Sequence, residues 1–342
     1  MNNKASPMPL VKTSELFALT HKILSNVGFT DLHIKAIYDH LLYNEYAGRA
    51  SHGFVRVKWT LDFIESGALY APHATPTRDI DRPALKHING QGNIGIVAAL
   101  AATKAAIEGA KDAGSCCVGA SNYGGTTGNM GYYAKQITDA GLVCIMSCTS
   151  LILVSPAAHC KPVNGTNPLC IGIPTGSGVL PIIYDSAVTP ISWGEAVLAA
   201  LNGKELPPNI ALDAVGNPTQ DARATVPKGS LLPIAAHKGF GLGVSLEILA
   251  GPLVGAKAGK SVKGSDGLFI QAIDPSCFGN IETFYASVKT YKDEIKNSPV
   301  DGQDIKLRLP GEKSLTTYQN NKDKQQIEIS APVYDKLKEL AA

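Results

Sequence analysis

With 342 residues the chain can bury a large core, and its length fits two domains or one large α/β domain. A formal net charge of +2 with 18% charged residues leaves no electrostatic footprint for nucleic acid or an anionic membrane. Apolar runs such as Gly141 to Met146 are too short to cross a bilayer, and Met1-Asn2-Asn3-Lys4 lacks a secretory h-region, so a soluble cytoplasmic enzyme is expected.

Residues 1 to 11 read as a loose arm. Apolar spacing predicts helices over Ser14 to Asn26 (Leu16, Leu19, Ile23) and Thr30 to Tyr46 (Ile34, Ile37, Leu41), the second capped by Thr30 with Asp31 in its first turn. Glu45, seven residues before His52, is either an orienting partner for the imidazole or, the favoured reading, a solvated charge. A third helix is predicted from Ser51, as N-cap, to Glu65, with Phe54, Val57, Leu61 and Ile64 as its apolar stripe and Ser66-Gly67 as its stop. His52 then falls in the first turn and Arg56 four residues on, on the same face.

That pair suits an acid with a carbonyl beside its carboxylate: imidazole can give or take the proton, and a guanidinium can grip the carboxylate. The helix N-terminus and Arg56 should both lower the His52 pKa and favour the neutral ring. The alternative for the same pair is a surface His capping a helix, with a solvated Arg beside it.

Tyr70 to Pro83 is a proline-punctuated connection, in keeping with a change of domain. A strand at Ala84 to Ile88 leads through Gly90-Gln91-Gly92, a phosphate loop or a tight turn, into an alanine-rich helix from Ile94 to Ala113. Cys116 to Ala120 reads as a buried strand. It enters the Gly-rich loop from Ser121-Asn122-Tyr123 to Gly131, and a helix follows at Tyr132 to Asp139. Leu142 to Cys148 and Cys170 to Pro174 are further strands, with the turn-forming Gly165-Thr166-Asn167-Pro168 between them.

Leu180 to Tyr184 is a strand ending in Asp185-Ser186-Ala187. Asp185 suits a ribose hydroxyl, a catalytic imidazole or a simple cap. A helix is expected over Trp193 to Leu201, then forty loop-like residues. His237-Lys238-Gly239-Phe240-Gly241-Leu242-Gly243 precedes an apolar helix from Val244 to Ala250; its glycines and Lys238 suit a dinucleotide phosphate, or else close packing with a surface lysine. Leu268 to Ile273 is the last core strand, a helix follows at Ile281 to Asn297, and a Ser330-capped helix should return to pack on the N-terminal helices. Seven cysteines, an odd number, fit a reducing compartment. Cys144 and Cys148 lack a second Cys pair or a His cluster, so no metal site is expected.

No Gly-x-Gly-x-x-Gly follows an early strand with an acidic residue about twenty positions on, so a Rossmann domain is not supported. Arg49-Ala50-Ser51-His52-Gly53-x-x-Arg56 resembles the signature of the type-2 malate/L-lactate dehydrogenase family. In the same order come Gly165-Thr166-Asn167-Pro168, Tyr184-Asp185-Ser186-Ala187, Gly216-Asn217-Pro218-Thr219, Leu231-Leu232-Pro233 with His237-Lys238-Gly239, Ile273-Asp274-Pro275 and Leu309-Pro310-Gly311. The resemblance covers nearly the whole chain.

It implies a non-Rossmann α/β fold that binds NAD(P) on a mixed central sheet (81–284), with a smaller helical domain from both chain ends (1–80 and 285–342). It also implies hydride transfer between a 2-hydroxy acid and its 2-oxo acid, and a homodimer. The implied catalytic residues are His52, Arg56 and Asp185, and the substrate residues Ser51, Arg56, Asn122, Tyr123, Thr166 and Asn167. The implied cofactor residues are Ile183, Tyr184, Asp185, Ser186, His237, Lys238, Gly239, Gly311, Glu312 and Lys313. NAD is favoured over NADP, although Lys161, Lys204 and Lys313 are possible partners for a phosphate. Two departures stand out: Tyr123 lies where many relatives have a second histidine, and Glu312 where many have His or Asp. Tyr can donate a hydrogen bond but cannot take up a proton near pH 7. The alternatives are reduction of a cyclic ketimine, which the His237-Lys238-Gly239 spelling also resembles, and a non-catalytic nucleotide sensor.

Overall fold

The computed structural model describes residues 8–264, 266–298 and 305–342. The front of the expected arm, residues 1–7, lies outside them. A seven-stranded sheet carries the middle of the chain: β2 (Thr77–Arg82), β3 (Leu85–Asn89), β4 (Ser115–Ser121), β12 (Leu268–Ile273), β5 (Val143–Cys148), β8 (Leu169–Ile173) and β9 (Ile182–Ser186), in that spatial order. Only β3 and β4 run parallel as neighbours; every other adjacent pair is antiparallel. The parallel pair needs a crossover, and α4 (Gly95–Ala113) supplies it.

One face of the sheet is covered by α4, over β3, β4 and β12, and by α5 (Met130–Asp139), over β5, β8 and β9. Period-two alternation turns Cys116, Val118, Ala120, Cys144 and Met146 into this core, where they meet the alanines of α4 and Tyr133 and Ile137 of α5. On the other face Gly119 admits Val254 where a Cβ would collide with it. A second group of short strands, β10 (Ala211–Leu212), β11 (Ser230–Leu231), β6 (Ile152–Val154) and β7 (Asn164–Gly165), flanks α6 (Trp193–Leu201) and α7 (Ala222–Thr225). It lies in a stretch that reads as loop because each piece is too short to show a period.

The chain ends meet. β1 (Leu10–Lys12) pairs antiparallel with β13 (Gln326–Glu328), so the end of the expected arm is a strand. Apolar residues of α1 (Thr13–Asn26), α2 (Asp31–Tyr46) and α3 (Arg56–Glu65) share a core with Ile327, Ile329 and Leu337 of the returning segment, the last in α11 (Ala331–Ala341). α9 (Ile281–Lys296) lies outside these cores, whereas α10 (Glu312–Asn321) gives Leu315 to the sheet core and packs Tyr318 against the terminal one. The helix expected from Val244 begins earlier: α8 runs from His237 to Ala250, with Gly239, Gly241 and Gly243 inside it. Gly239 packs onto the Ile234 carbonyl, where a side chain would not fit. Among the described residues no helix is long and apolar enough to cross a membrane, and no cluster of His, Cys, Asp or Glu could hold a metal ion.

Candidate active site

The predicted helix start at Ser51 is corrected by the structure. Ala50–His52 form a single 3₁₀ turn, the backbone breaks at Gly53 (φ −89°, ψ −147°), and α3 begins only at Arg56. Ser51 is therefore not an N-cap; its Oγ lies 3.1 Å from His52 Nδ1. The break is held from beneath by Glu45 of α2, whose Oε1 accepts the Phe54 N–H at 2.9 Å. A Cβ at Gly53 would overlap that carboxylate, so a side chain there would displace Glu45 from the Phe54 N–H. Glu45 is thus enclosed, not solvated, and burial pushes its carboxyl up to about 7 against the pull of the Phe54 N–H.

Arg56 is fixed by two of its five N–H groups: Nε donates to Ser51 O at 2.9 Å and Nη1 to Thr126 Oγ1 at 2.8 Å. Its guanidinium lies 4.7 Å from the centroid of the Trp59 ring. Burial lowers its pKa to about 10, still well above neutrality. The His52 imidazole is held well below 6.5, first by burial and then by Arg56, His40 and Arg49. The expectation of a neutral ring is met, but burial replaces the helix terminus as its main cause.

The opposite wall comes from the loop after β4. Gly125 and Gly128 take positive φ, Thr126 Oγ1 accepts the Gly128 N–H at 2.9 Å, and the Tyr133 hydroxyl donates to Thr127 O. Beneath it lies a buried polar lattice that the sequence reading missed. His40 Nε2 accepts the Asn129 N–H at 3.1 Å, and Asn44 Oδ1 accepts from Asn129 Nδ2 at 2.6 Å. Burial takes His40 down to about 3, so it is a neutral acceptor. Asp185, at the end of β9, accepts the Gly131 N–H at 2.9 Å and lies 3.8 Å from Arg49 Nη1. Burial raises its carboxyl pKa, opposed by Arg49 and by that N–H.

These segments enclose a cleft of about 630 Å³ lined by Ser51, His52, Arg56, Thr166, Asp185 and Ser186 from the expected set. Arg49, Trp59, Phe63, Thr126, Ser150, Leu151 and Trp193 also line it. Trp59 lies off the Val57–Leu61–Ile64 stripe, and an aromatic on a face expected to be solvated was the available signal. α6 approaches closely because a Cβ on Gly194 would already sit 3.2 Å from Ser51 Cβ.

Other expected residues lie elsewhere. Asn122 bonds Asn89 Oδ1 at 2.7 Å and accepts from Tyr70, while Tyr123 is buried in the sheet core; both border a separate, smaller cavity. Asn167 is fully buried and bonded to Ser150 N and Glu247, so it pins a turn to α8 instead of facing the cleft. Asp185 has Gly131 and Arg49 as its partners, not the imidazole. Ile183 is in the core and Tyr184 points out from the strand, 38% exposed. His237 and Lys238 are exposed at the start of α8 and Gly239 is buried within it, none of them lining the cleft. Glu312 is held by Lys296 Nζ and the Leu309 N–H, and Lys313 is exposed. Gly311 (φ +79°) packs over Ile183 at the edge of β9.

The sequence pattern of the malate/L-lactate dehydrogenase family matches residues 11–338. A malate/(S)-sulfolactate dehydrogenase of Methanothermus fervidus is 33% identical, with 97% of each chain covered. A Δ1-pyrroline-2-carboxylate/Δ1-piperideine-2-carboxylate reductase of Pseudomonas aeruginosa is 31% identical over 70% of this chain and 71% of its own. The crystal structure of malate dehydrogenase from Entamoeba histolytica superposes with a TM-score of 0.87 at 25% identity, covering 98% of both chains.

Proposed function

The chain belongs to the malate/L-lactate dehydrogenase family, and on that premise we propose that its cleft interconverts a small 2-hydroxy acid and its 2-oxo acid by hydride transfer with a nicotinamide dinucleotide. The observation that carries this reading is the meeting of a neutral, enclosed imidazole with a fixed, unneutralised guanidinium in one cleft. The cleft suits the nicotinamide end of such a cofactor. It has room for a ring and a small acid together, and the Asp185 carboxylate with the hydroxyls of Ser150, Thr166 and Ser186 suits a carboxamide and a ribose.

Bound nicotinamide would accept the hydride from C2 of the hydroxy acid and return it in the reverse direction. His52 Nε2 takes the hydroxyl proton as that hydride leaves, which requires Nδ1–H to be donated to Ser51 Oγ. Arg56 receives the carboxylate with the N–H groups that Ser51 and Thr126 leave unused. Asp185 keeps Arg49 and the N-terminus of α5 in place at the cofactor side.

NAD is the proposed dinucleotide, with NADP as its alternative. The cofactor then rests on a mixed sheet, not on a doubly wound parallel one. A division into a terminal helical domain and a sheet domain fits the two cores. The exposed apolar side chains of Val244, Ile248 and Leu249 on α8, with Leu253 in the turn after it, suit a homodimer, and seven free thiols suit the cytoplasm.

A second reading has one observation in its favour. A neutral imidazole is a poor proton donor, and a cyclic iminium arrives already protonated. Following reduced-dinucleotide absorbance with 2-oxo acids and with piperideine-2-carboxylate separates the two. In the same assay His52→Ala should lower turnover of a 2-oxo acid by ~10²–10⁴ while dinucleotide binding persists. Near-full activity of that variant would refute the mechanism.

A further inference from the structure

Both halves of the cleft rest on one short stretch of α2. Glu45 holds the turn that carries His52, through the Phe54 N–H. Just before it in the helix, His40 and Asn44, both fully buried, hold the opposite wall. Asn129 is the residue they share: its N–H donates to His40 Nε2 at 3.1 Å and its Nδ2 to Asn44 Oδ1 at 2.6 Å. Asn44 is itself anchored, since its Nδ2 donates to His40 O at 2.7 Å.

From Asn129 the path to the substrate side is short. The preceding Gly128 N–H donates to Thr126 Oγ1, and that oxygen also accepts from Arg56 Nη1. Loop and imidazole are in close contact: a Cβ on Gly128, whose φ is +75°, would stand 2.1 Å from His40 Cε1. The ring is packed in turn against Tyr132, edge-on with centroids 4.9 Å apart, and Tyr133, stacked at 5.7 Å. A backbone N–H can only donate, so Nε2 is the bare nitrogen and Nδ1 carries the ring proton. Protonation would abolish this acceptor, and burial, by taking the His40 pKa down to about 3, keeps it available through neutral pH.

We infer that His40 is a positioning residue for Arg56: its Nε2 fixes Asn129, and through residues 126–129 it fixes the hydroxyl that orients the guanidinium. This rests on the reading of the His52–Arg56 cleft given above. His40 does not itself line the cleft. α2 thereby sets the spacing of the working pair, Glu45 from beneath the imidazole and His40 from beneath the wall that holds the arginine.

The test is a double-mutant cycle on KM, using the best substrate among the 2-oxo acids and piperideine-2-carboxylate. His40→Leu and Thr126→Val should each raise KM by about 5-fold, the scale of one net hydrogen bond, with dinucleotide binding unchanged. The double variant should also stay near 5-fold, whereas independent effects would multiply to about 25-fold. His40→Gln, which restores an oxygen acceptor near the place of Nε2, should bring KM back to within about 2-fold of the parent. Should His40→Leu fail to fold, Asn44→Ala releases the same Asn129 from its other side and enters the same cycle. A fall in kcat at unchanged KM, or multiplying effects, overturns the inference and leaves the hydride-transfer reading intact. A parent that turns over none of these substrates removes that reading, and the inference with it.

Discussion

Arg56 and Thr126, seventy residues apart in sequence, are joined by a 2.8 Å hydrogen bond from Nη1 to Oγ1 across the cleft. The same hydroxyl accepts the Gly128 N–H, so the bond ties the start of α3 to the loop that forms the opposite wall. A guanidinium can hold Ser51 O and Thr126 together and still present a planar pair of donors; an ammonium cannot.

Arg56→Lys should therefore raise KM for a 2-oxo acid and lower kcat/KM by about 10- to 100-fold, the scale of losing a charge-assisted hydrogen bond. Thr126→Val should cost less, because the two remaining contacts still orient the guanidinium. Steady-state kinetics on both variants checks the order. A lysine variant with unchanged KM would remove Arg56 from the carboxylate site.

His52 is held well below 6.5 by burial and by neighbouring cations. Oxidation of a hydroxy acid needs the neutral ring, so its kcat/KM should stay flat as pH falls through 6.5 and decline only further into acid. In Arg56→Gln one of the depressing charges is gone, and the acid limb should move up toward 6.5. A parent profile that breaks at or above 6.5 would be incompatible with this environment.

Glu45 carries its own pH signature. Its carboxyl is raised from 4.5 to about 7, so its favourable contribution is fully present below 4.5 and is lost as pH rises through 7. Glu45→Gln keeps an acceptor for the Phe54 N–H and removes the ionisation. The variant should gain stability over the parent progressively between these pH values, by an amount on the order of 3 kcal/mol. Thermal unfolding at several pH values reads it out, and a difference independent of pH would show that Glu45 is solvated after all.

Much of the fold was legible because strong periods survive in it. Trp193–Leu201 and Leu268–Ile273 fall where their patterns place them. β2 was missed because all six of its residues are exposed, so it shows no apolar alternation and exists through pairing with β3. The His52–Arg56 pair was legible as chemistry, but the manner of its approach was not. A helix from Ser51 would have served the same spacing, and only the Glu45 carboxylate under Gly53 reveals why the chain turns there first. Asn122, Tyr123 and Asn167 illustrate the converse. Polar residues in Gly-rich turns read as binding groups, yet Asn122 and Asn167 are taken up by bonds that shape the loops, and Tyr123 is taken up by the core. His40 and Asn44 were silent because a polar residue in an amphipathic helix reads as solvated until the element covering it is known.

The antiparallel pairing of Leu10–Lys12 with Gln326–Glu328 also bears on the order of events during synthesis. α2 supplies Glu45 beneath His52 and His40 beneath the Thr126 loop. It is fastened at its end by Asn321, whose Nδ2 donates to Tyr46 O from 275 positions later. A nascent chain leaving the ribosome can pair every strand of the central sheet once residue 273 has emerged. The N-terminal helices, although made first, must wait for almost the whole remainder of the polypeptide before the platform under the imidazole is complete. Catalytic competence should therefore be among the last properties a newly made molecule acquires.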